Sequence, residues 1–511
     1  MRTIGYLFQL YMMAVGLRRF GAIRALAGID LVPAWAPRLL RLFTFYVPHR
    51  FGLPKSDGER LALALASMGP AYIKLGQTLA TRPDLVGRPL AEGLTTLQDR
   101  LPPFKFAKAR ATIEAELGGK LEDHFLSFEE VPVAAASIAQ VHKAVTEKGV
   151  PVAVKVLRPD IESRFVRDLK LFDWLAGIAE RNVKEARRLR LTKIVDKVKE
   201  TSLREMDLRL EAAAAAELAE NMRGESGYRL PHIEWDHTAR RVMTLEWIDG
   251  VRLADKAALE AAGHDLEALG KKVVQVFLTQ ALRDGFFHAD LHQGNLIVEP
   301  DGTIAAIDFG IMGRLSKRER QFLAEILYGF IRRDYIRVAQ VHFDAGYVPK
   351  NQSLEEFAQA LRAIADPIMD LPVEEISAGQ LLAQLFATTE RFSMQTQPQL
   401  LLLQRTMVMA EGMALHLYPS ANMWQISEPV IEAWIRANLS PEARLADMVA
   451  NLPRFLERLP HRIEKWLSEE DEEPTEDDDW EASPAPAPKV GLWPFALGLI
   501  TGAAILKILM L

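Results

Sequence analysis

The stretch HADLHQGNLIVEPDGTIAAIDFG, residues 288–310, constrains this chain more than any other segment. Two short apolar runs, NLIVE and TIAAIDF, flank the turn residues Pro-Asp-Gly, which is the pattern of a β-hairpin. A hairpin brings the start of its first strand beside the end of its second, so Asn295 and Asp308 are expected to meet. Asp290 sits on the loop leading in. Side-chain oxygens gathered on one tight reversal suit a hard cation such as Mg²⁺ and the phosphates it carries, with Asn295 and Asp308 as its ligands. Asp290 is placed to accept a proton from a hydroxyl group. His288 and His292 would share a face only on a helix, and this segment contains a glycine and runs into a strand. The glutamate of a His-Glu-x-x-His zinc motif is also missing. His288 is expected to brace the loop backbone, and His292 to shape a phosphate pocket.

A second strand-like region lies upstream. SIAQVHKAV, the turn TEKG and VPVAVKVL read as another hairpin, with Val152, Val154 and Val156 on one face and Lys155 on the other. A desolvated lysine needs a carboxylate partner. LREMDLRLEAAAAAEL offers Glu205, Asp207 and Glu211, and on one continuous helix the two glutamates, six apart, would point in different directions. Sequence alone does not choose between them. The protein-kinase pattern H-R-D-L-x-x-x-N followed by D-F-G has the same internal spacing as Asp290, Asn295 and Asp308, and a strand lysine such as Lys155 is its phosphate-neutralising companion. Three parts depart from that pattern. Ala134, Ala135, Ala136 and Ser137 stand where a kinase carries its glycine-rich loop, no arginine precedes Asp290, and no A-P-E follows Asp308. Alanine resists the positive φ that lets backbone N–H groups converge on phosphate.

Composition excludes several classes. With 511 residues and 49% hydrophobic content the chain can bury a large core. It has no cysteine, which rules out disulfides and thiolate metal sites, and its net charge of -6 argues against nucleic acid as a partner. Residues 1–50 hold seven arginines and one acid, whereas 469–481 hold ten acids and no base. The apolar run beginning at Ile4, followed by Arg18, Arg19 and Arg24, reads either as a membrane-interfacial helix or as a helix packed on the main body. Residues 468–489 form an acidic, Pro/Ala-rich linker, and the 22 residues 490–511 match a membrane span of about 33 Å. Helical spacing covers 60–120, with a Gly-Pro break at 69 and 70, and dominates again from 251 to 467. A strand pair is expected within 229–250, ending in the hinge Glu246, Trp247 and Ile248.

These residues resemble the UbiB family of atypical kinase-like proteins over roughly 60–320. Lys74, Gly76 and Gln77 match its K-x-G-Q motif, Ala134 to Ser137 its alanine-rich loop, and Glu205 and Asp207 its E-x-D motif. The resemblance implies that Glu205 contacts Lys74 and that Glu211 partners Lys155. Residue reading alone makes Lys74 an exposed helical lysine. It also implies ATP and Mg²⁺ as cofactors, association with membrane lipid, and support of ubiquinone biosynthesis, with quinone precursors and other quinone-pathway proteins as partners. The hydroxylase label that some members carry finds no dinucleotide fingerprint or iron site here.

The expected fold is α+β: a two-lobed, protein-kinase-like body with a helical N-terminal extension, a helical C-lobe and a C-terminal transmembrane helix. The expected boundaries are a basic segment 1–59, the extension 60–120, an N-lobe 121–250, a C-lobe 251–467, the linker and the anchor. The family resemblance implies a pair of closing spans, but the sequence has room for one. The expected function is a Mg-ATP-dependent kinase or ATPase on the cytoplasmic face of the inner membrane. Two alternatives stand beside it. One is a small-molecule kinase of aminoglycoside- or choline-kinase type, and the other a non-catalytic ATP-sensing scaffold for quinone-pathway enzymes or lipids.

Overall fold

The architecture comes from a computed structural model that describes residues 2–29, 36–50, 52–54, 56–80, 86–97, 102–136, 138–182, 187, 190–369, 391–392, 394 and 398–440. The chain divides into two compact units. Of the described residues, one unit takes those up to Ala212 together with Ile233–Trp247, and the other takes Ala213–His232 and those from Ile248 onward. The expected linker and anchor, 468–489 and 490–511, lie outside the described residues. Among the described residues no helix is long and apolar enough to cross a membrane.

In the first unit, helices α1 (Arg2–Arg19) and α2 (Ala36–Phe43) precede α3 (Asp57–Met68) and α4 (Pro70–Ala80). The break between α3 and α4 falls where the Gly-Pro pair sits. Gly69 adopts φ 118, and its carbonyl accepts the N–H groups of Tyr72 and Ile73 at 3.1 Å, so α4 starts at Pro70 without an orphaned turn. Strands β1 (Phe125–Phe128), β2 (Ala134–Ala135), β3 (Ala139–Thr146), β4 (Pro151–Leu157) and β5 (Val242–Glu246) form one antiparallel sheet in the order β1-β3-β4-β5, with β2 on β3. Alternation along β4 buries Val152, Val154 and Val156 completely in a core with Ala109 and Ile113, each valine adding about 1.5–3 kcal/mol by burial. Lys155 faces the other way.

Two expectations are corrected here. The segment 229–250 is not a strand pair. Tyr228–Arg229 pairs with a strand of the second unit's own sheet and Val242–Glu246 with β4, leaving two isolated bridges, Ile233 with Leu245 and Ala239 with Val242. Pro231 lacks a donor for a continuous ladder. Nor do the two glutamates share a helix. One helix, α5 (Leu191–Glu205), stops at Glu205, and α6 (Leu208–Asn221) begins anew after Asp207, whose Oδ1 accepts the Arg209 N–H at 3.2 Å. An aspartate that takes a first-turn N–H favours a helix start over a helix interior.

In the second unit, α7 (Leu266–Leu278) runs into a π-turn, Thr279–Asp284, and then β6 (Phe286–His288). Strands β7 (Leu296–Val298) and β8 (Ile304–Ala306) make the expected hairpin, with Ile297 opposite Ala305, while β6 pairs with β9 (Met312–Arg314). Helices follow, among them α8 (Pro398–Leu417). Phe277, Phe287 and Phe309 are fully buried beneath the loops that these strands carry.

Candidate nucleotide and metal site

In the first unit, β4 holds Lys155 with Nζ 2.6 Å from Glu211 Oε1, the two side chains only 14% and 8% exposed. An ion pair this buried keeps its geometry, because removing either partner strands the other charge away from water. The glutamate six residues before Glu211 has its own lysine: Lys74 Nζ lies 2.8 Å from Glu205 Oε2, both nearly buried. Lys74 is thus not the exposed helical lysine that residue reading suggests. The helix break at Asp207 is what lets the two acids serve two lysines. Gly76, two residues along α4, has no room for a side chain, since a Cβ there would lie 2.3 Å from Leu97 and 2.8 Å from Leu65. Gln77 follows it, half-buried.

The alanine loop is a tight reversal. Ala134 pairs with Val141 and Ala135 with Gln140, and the Ala136 N–H donates to the Ala139 carbonyl at 2.8 Å. Among the described residues none of these alanines adopts positive φ. The Ala136 carbonyl is held by the Arg158 guanidinium, at 3.1 Å from Nε and 2.9 Å from a terminal nitrogen. Ser137 lies outside the described residues. At the expected hinge, Glu246 ends β5 opposite Val152, and the Trp247 N–H still donates to the Pro151 carbonyl at 3.0 Å. Ile248 is buried and opens the other unit.

In the second unit the opening stretch is fastened by its own polar groups. His288 is buried, and its Nδ1 accepts the Asp290 N–H at 3.2 Å while its Nε2 donates to the Asp308 carbonyl. One imidazole therefore ties the Asp290 loop to the Asp308 loop. Burial pushes this histidine below its ordinary pKa, against a smaller upward pull from Asp308, which fits a neutral ring with one donor and one acceptor. Asn295 Nδ2 donates to the Asp290 carbonyl at 3.1 Å, and the Asn295 carbonyl accepts the Ile307 N–H at 3.0 Å. Asp308 Oδ1 accepts the Gly310 N–H at 3.2 Å. His292 is half-exposed, with Nε2 3.8 Å from Asp290 Oδ2.

This donor set fits Mg²⁺. With its Nδ2 committed to the loop, Asn295 has its amide oxygen left to offer, and Asp308 adds a carboxylate. Among the described residues no three His, Asp or Glu side chains gather as a metal cage. Mg²⁺ does not require one, because it keeps several waters and is bound by one or two protein oxygens plus phosphate.

Two residues that sequence reading missed complete this neighbourhood. Thr406 of α8 is fully buried, and its hydroxyl lies 3.2 Å from the Ala289 carbonyl and 2.9 Å from that of Leu402. Beside it, an Arg405 terminal nitrogen is 3.6 Å from Asp290 Oδ1. The only local signal is a polar Gln-Arg-Thr step inside the apolar run LLLLQRTMVM.

Comparison with known proteins identifies the family. Residues 96–342 match the ABC1 atypical kinase-like domain, and 361–422 match the UbiB helical domain. "Probable protein kinase UbiB" of Marinobacter nauticus is 42% identical over 430 residues, which cover 83% of this chain and 79% of that one. The chain belongs to the UbiB family. The Azotobacter vinelandii relative of the same name is likewise 42% identical, over 84% of this chain and 80% of its own. Among solved structures, the complex of Rv3197 with erythromycin from Mycobacterium tuberculosis aligns with a TM-score of 0.52 at 27% identity, over 72% of this chain and 93% of that one. The fold is that of a UbiB-family, kinase-like protein, with mixed helix and sheet.

Proposed function

We propose that this UbiB-family chain is a Mg²⁺- and ATP-dependent atypical kinase or ATPase that acts at a membrane in support of ubiquinone (isoprenoid quinone) biosynthesis. The observation that carries the reading is the fastening of Asp290, Asn295 and Asp308 on one hairpin and its entry loop, through His288 and Asn295. Lys155, steadied by Glu211, would meet the nucleotide phosphates, and the turn at Ala134–Ala136 would lie over them. Backbone groups of Glu246–Ile248 would meet adenine. Asn295 and Asp308 would hold Mg²⁺, which supplies positive charge against the phosphates when bound. Asp290 would accept the proton of the acceptor, water or another hydroxyl. Lys74, Gln77 and the acids Glu205 and Asp207 are assigned to the same nucleotide function by family resemblance, and so is the quinone pathway.

The test uses one substitution with two readouts. Asp308→Asn is expected to leave the apo protein folded while abolishing its thermal stabilisation by ATP in Mg²⁺. A strain carrying only this variant is expected to accumulate isoprenoid-quinone precursors, measured by extraction and mass spectrometry. Undiminished stabilisation would refute the metal assignment, and a normal quinone profile would remove the pathway.

The membrane part of the proposal is supported at the N-terminus. Phe8 and Met12, one turn apart on α1, and Leu42, Phe45 and Tyr46 at and beyond the end of α2 are all exposed by half or more. The hydroxyls of Tyr11 and Tyr46 meet, which brings α1 beside the end of α2. Arginines gather where α1 ends. The Arg50 N–H donates to the Arg19 carbonyl at 2.8 Å, and the Arg60 guanidinium lies against Gly21. His49 is pushed below its ordinary value by burial and then by Arg18, Arg60 and Arg24. Aromatic and aliphatic side chains beside clustered arginines suit the interface of an anionic bilayer. We propose that this face meets the cytoplasmic side of the inner membrane, which the anchor expected at 490–511 would span.

A further inference from the structure

Arg405 is brought to Asp290 by a specific clamp. Thr406 and Ala289, 117 residues apart, are joined through the buried threonine hydroxyl, which fixes α8 against the backbone of the Asp290 loop. The neighbouring Arg405 side chain, 54% exposed, leans toward the Asp290 carboxylate. Its terminal nitrogen reaches 3.6 Å from Asp290 Oδ1, too far for a hydrogen bond, and it has no other partner among the described residues. Its forked N–H donors are therefore uncommitted. An ion pair this long, with an arginine 54% exposed, adds little to stability, so its position is the informative part. The loop supplies no cation of its own before Asp290, because that position is Ala289.

We propose that Arg405 is a catalytic cation that turns from Asp290 to the phosphoryl group in transit. This rests on the reading of Asp290 as the group that receives the acceptor's proton. In the reaction the bond between the γ-phosphorus of ATP and its bridging oxygen breaks, and its electron pair leaves with ADP. A bond forms from the acceptor oxygen to the γ-phosphorus, and the acceptor's proton passes to Asp290. With water as acceptor the products are ADP and inorganic phosphate. Negative charge spreads over the oxygens of the transferring group. Any acceptor oxygen in hydrogen-bond contact with Asp290 lies within reach of Arg405, and a planar guanidinium matches phosphoryl oxygens with parallel donors. A segment outside the kinase-like domain thereby contributes to its chemistry.

The test is phosphate release from ATP by the purified full chain, comparing wild type, Arg405→Ala, Arg405→Gln, Arg405→Lys and Asp290→Asn, with thermal midpoints alongside. Arg405→Ala and Arg405→Gln are expected to lower kcat roughly 10²-fold, at the modest end for a transition-state cation in a partly solvated site, with KM for ATP and the thermal midpoint unchanged. Arg405→Lys, which keeps the charge but not the fork, should recover only part of the loss, and a purely structural role would not produce that partial rescue. A kcat within twofold of wild type in Arg405→Gln, or a change confined to KM, overturns the inference. If Asp290→Asn turns over normally, or the wild type does not turn over at all, the reading beneath it falls and takes the inference with it. Loss in Asp290→Asn without loss in Arg405→Gln removes Arg405 alone.

Discussion

His142 shows how a single protonation state is written into the first unit's sheet. It is fully buried on β3, where its Nδ1 lies 2.8 Å from the Glu129 carbonyl and its Nε2 is 2.8 Å from Gln140 Nε2. The Gln140 amide cannot turn round without cost, since its Oε1 accepts the Phe104 N–H at 3.0 Å. The ring must then donate at Nδ1 and accept at Nε2, which only neutral imidazole can do. Burial lowers its pKa, partly offset by the bond to Glu129, and burial likewise lowers that of His342. The unfolded chain takes up these protons below about pH 6.5 and the native chain does not, so stability is full above that pH and falls as acid is added. Denaturant unfolding of His142→Gln should show a shallower decline between pH 6.5 and 5 than wild type. An equal slope would assign the acid sensitivity elsewhere. Nothing in AQVHKAVT reveals this network, because Gln140 and His142 are legible as inward residues but Phe104 and Glu129 come from other strands and loops.

Helix α4 illustrates how an element carries function by its packing. The motif Lys-Leu-Gly-Gln presents Lys74 to Glu205 on one side, and Gly76 lets the helix approach Leu65 and Leu97 on another. Gly76→Ala is expected to cost about 1–3 kcal/mol through overpacking, despite alanine's better helix propensity. Combining it with Leu97→Ala should recover part of that loss, and purely additive costs in denaturant titrations would show that the two side chains do not compete. Elements of this kind were legible where the signal is local. The Gly-Pro break between α3 and α4, the valine face of β4 and the hairpin of β7 and β8 all follow from short-range patterns. The break between α5 and α6 was not, because an alanine-rich run reads as one helix until Asp207 is seen capping the second. Arg405 was not either, since no spacing rule links it to Asp290.

Taken together, the chain combines a basic, apolar-patched beginning with an acidic stretch near its end. If the N-terminal face meets lipid, wild-type protein should sediment with vesicles containing anionic phospholipid more than with neutral ones. Arg18→Gln combined with Arg24→Gln should remove that difference while leaving binding to neutral vesicles in place. An unchanged preference would count against the face. The hydrogen bond between Thr406 and Ala289 has a further consequence for how such a protein can be built. It joins a residue within 361–422 to one within 96–342, the segments matched by two separate family descriptions. Neither segment is then a portable module: a chimera that grafts a foreign helical region onto this kinase-like region would inherit a loop whose support was cut for a different partner.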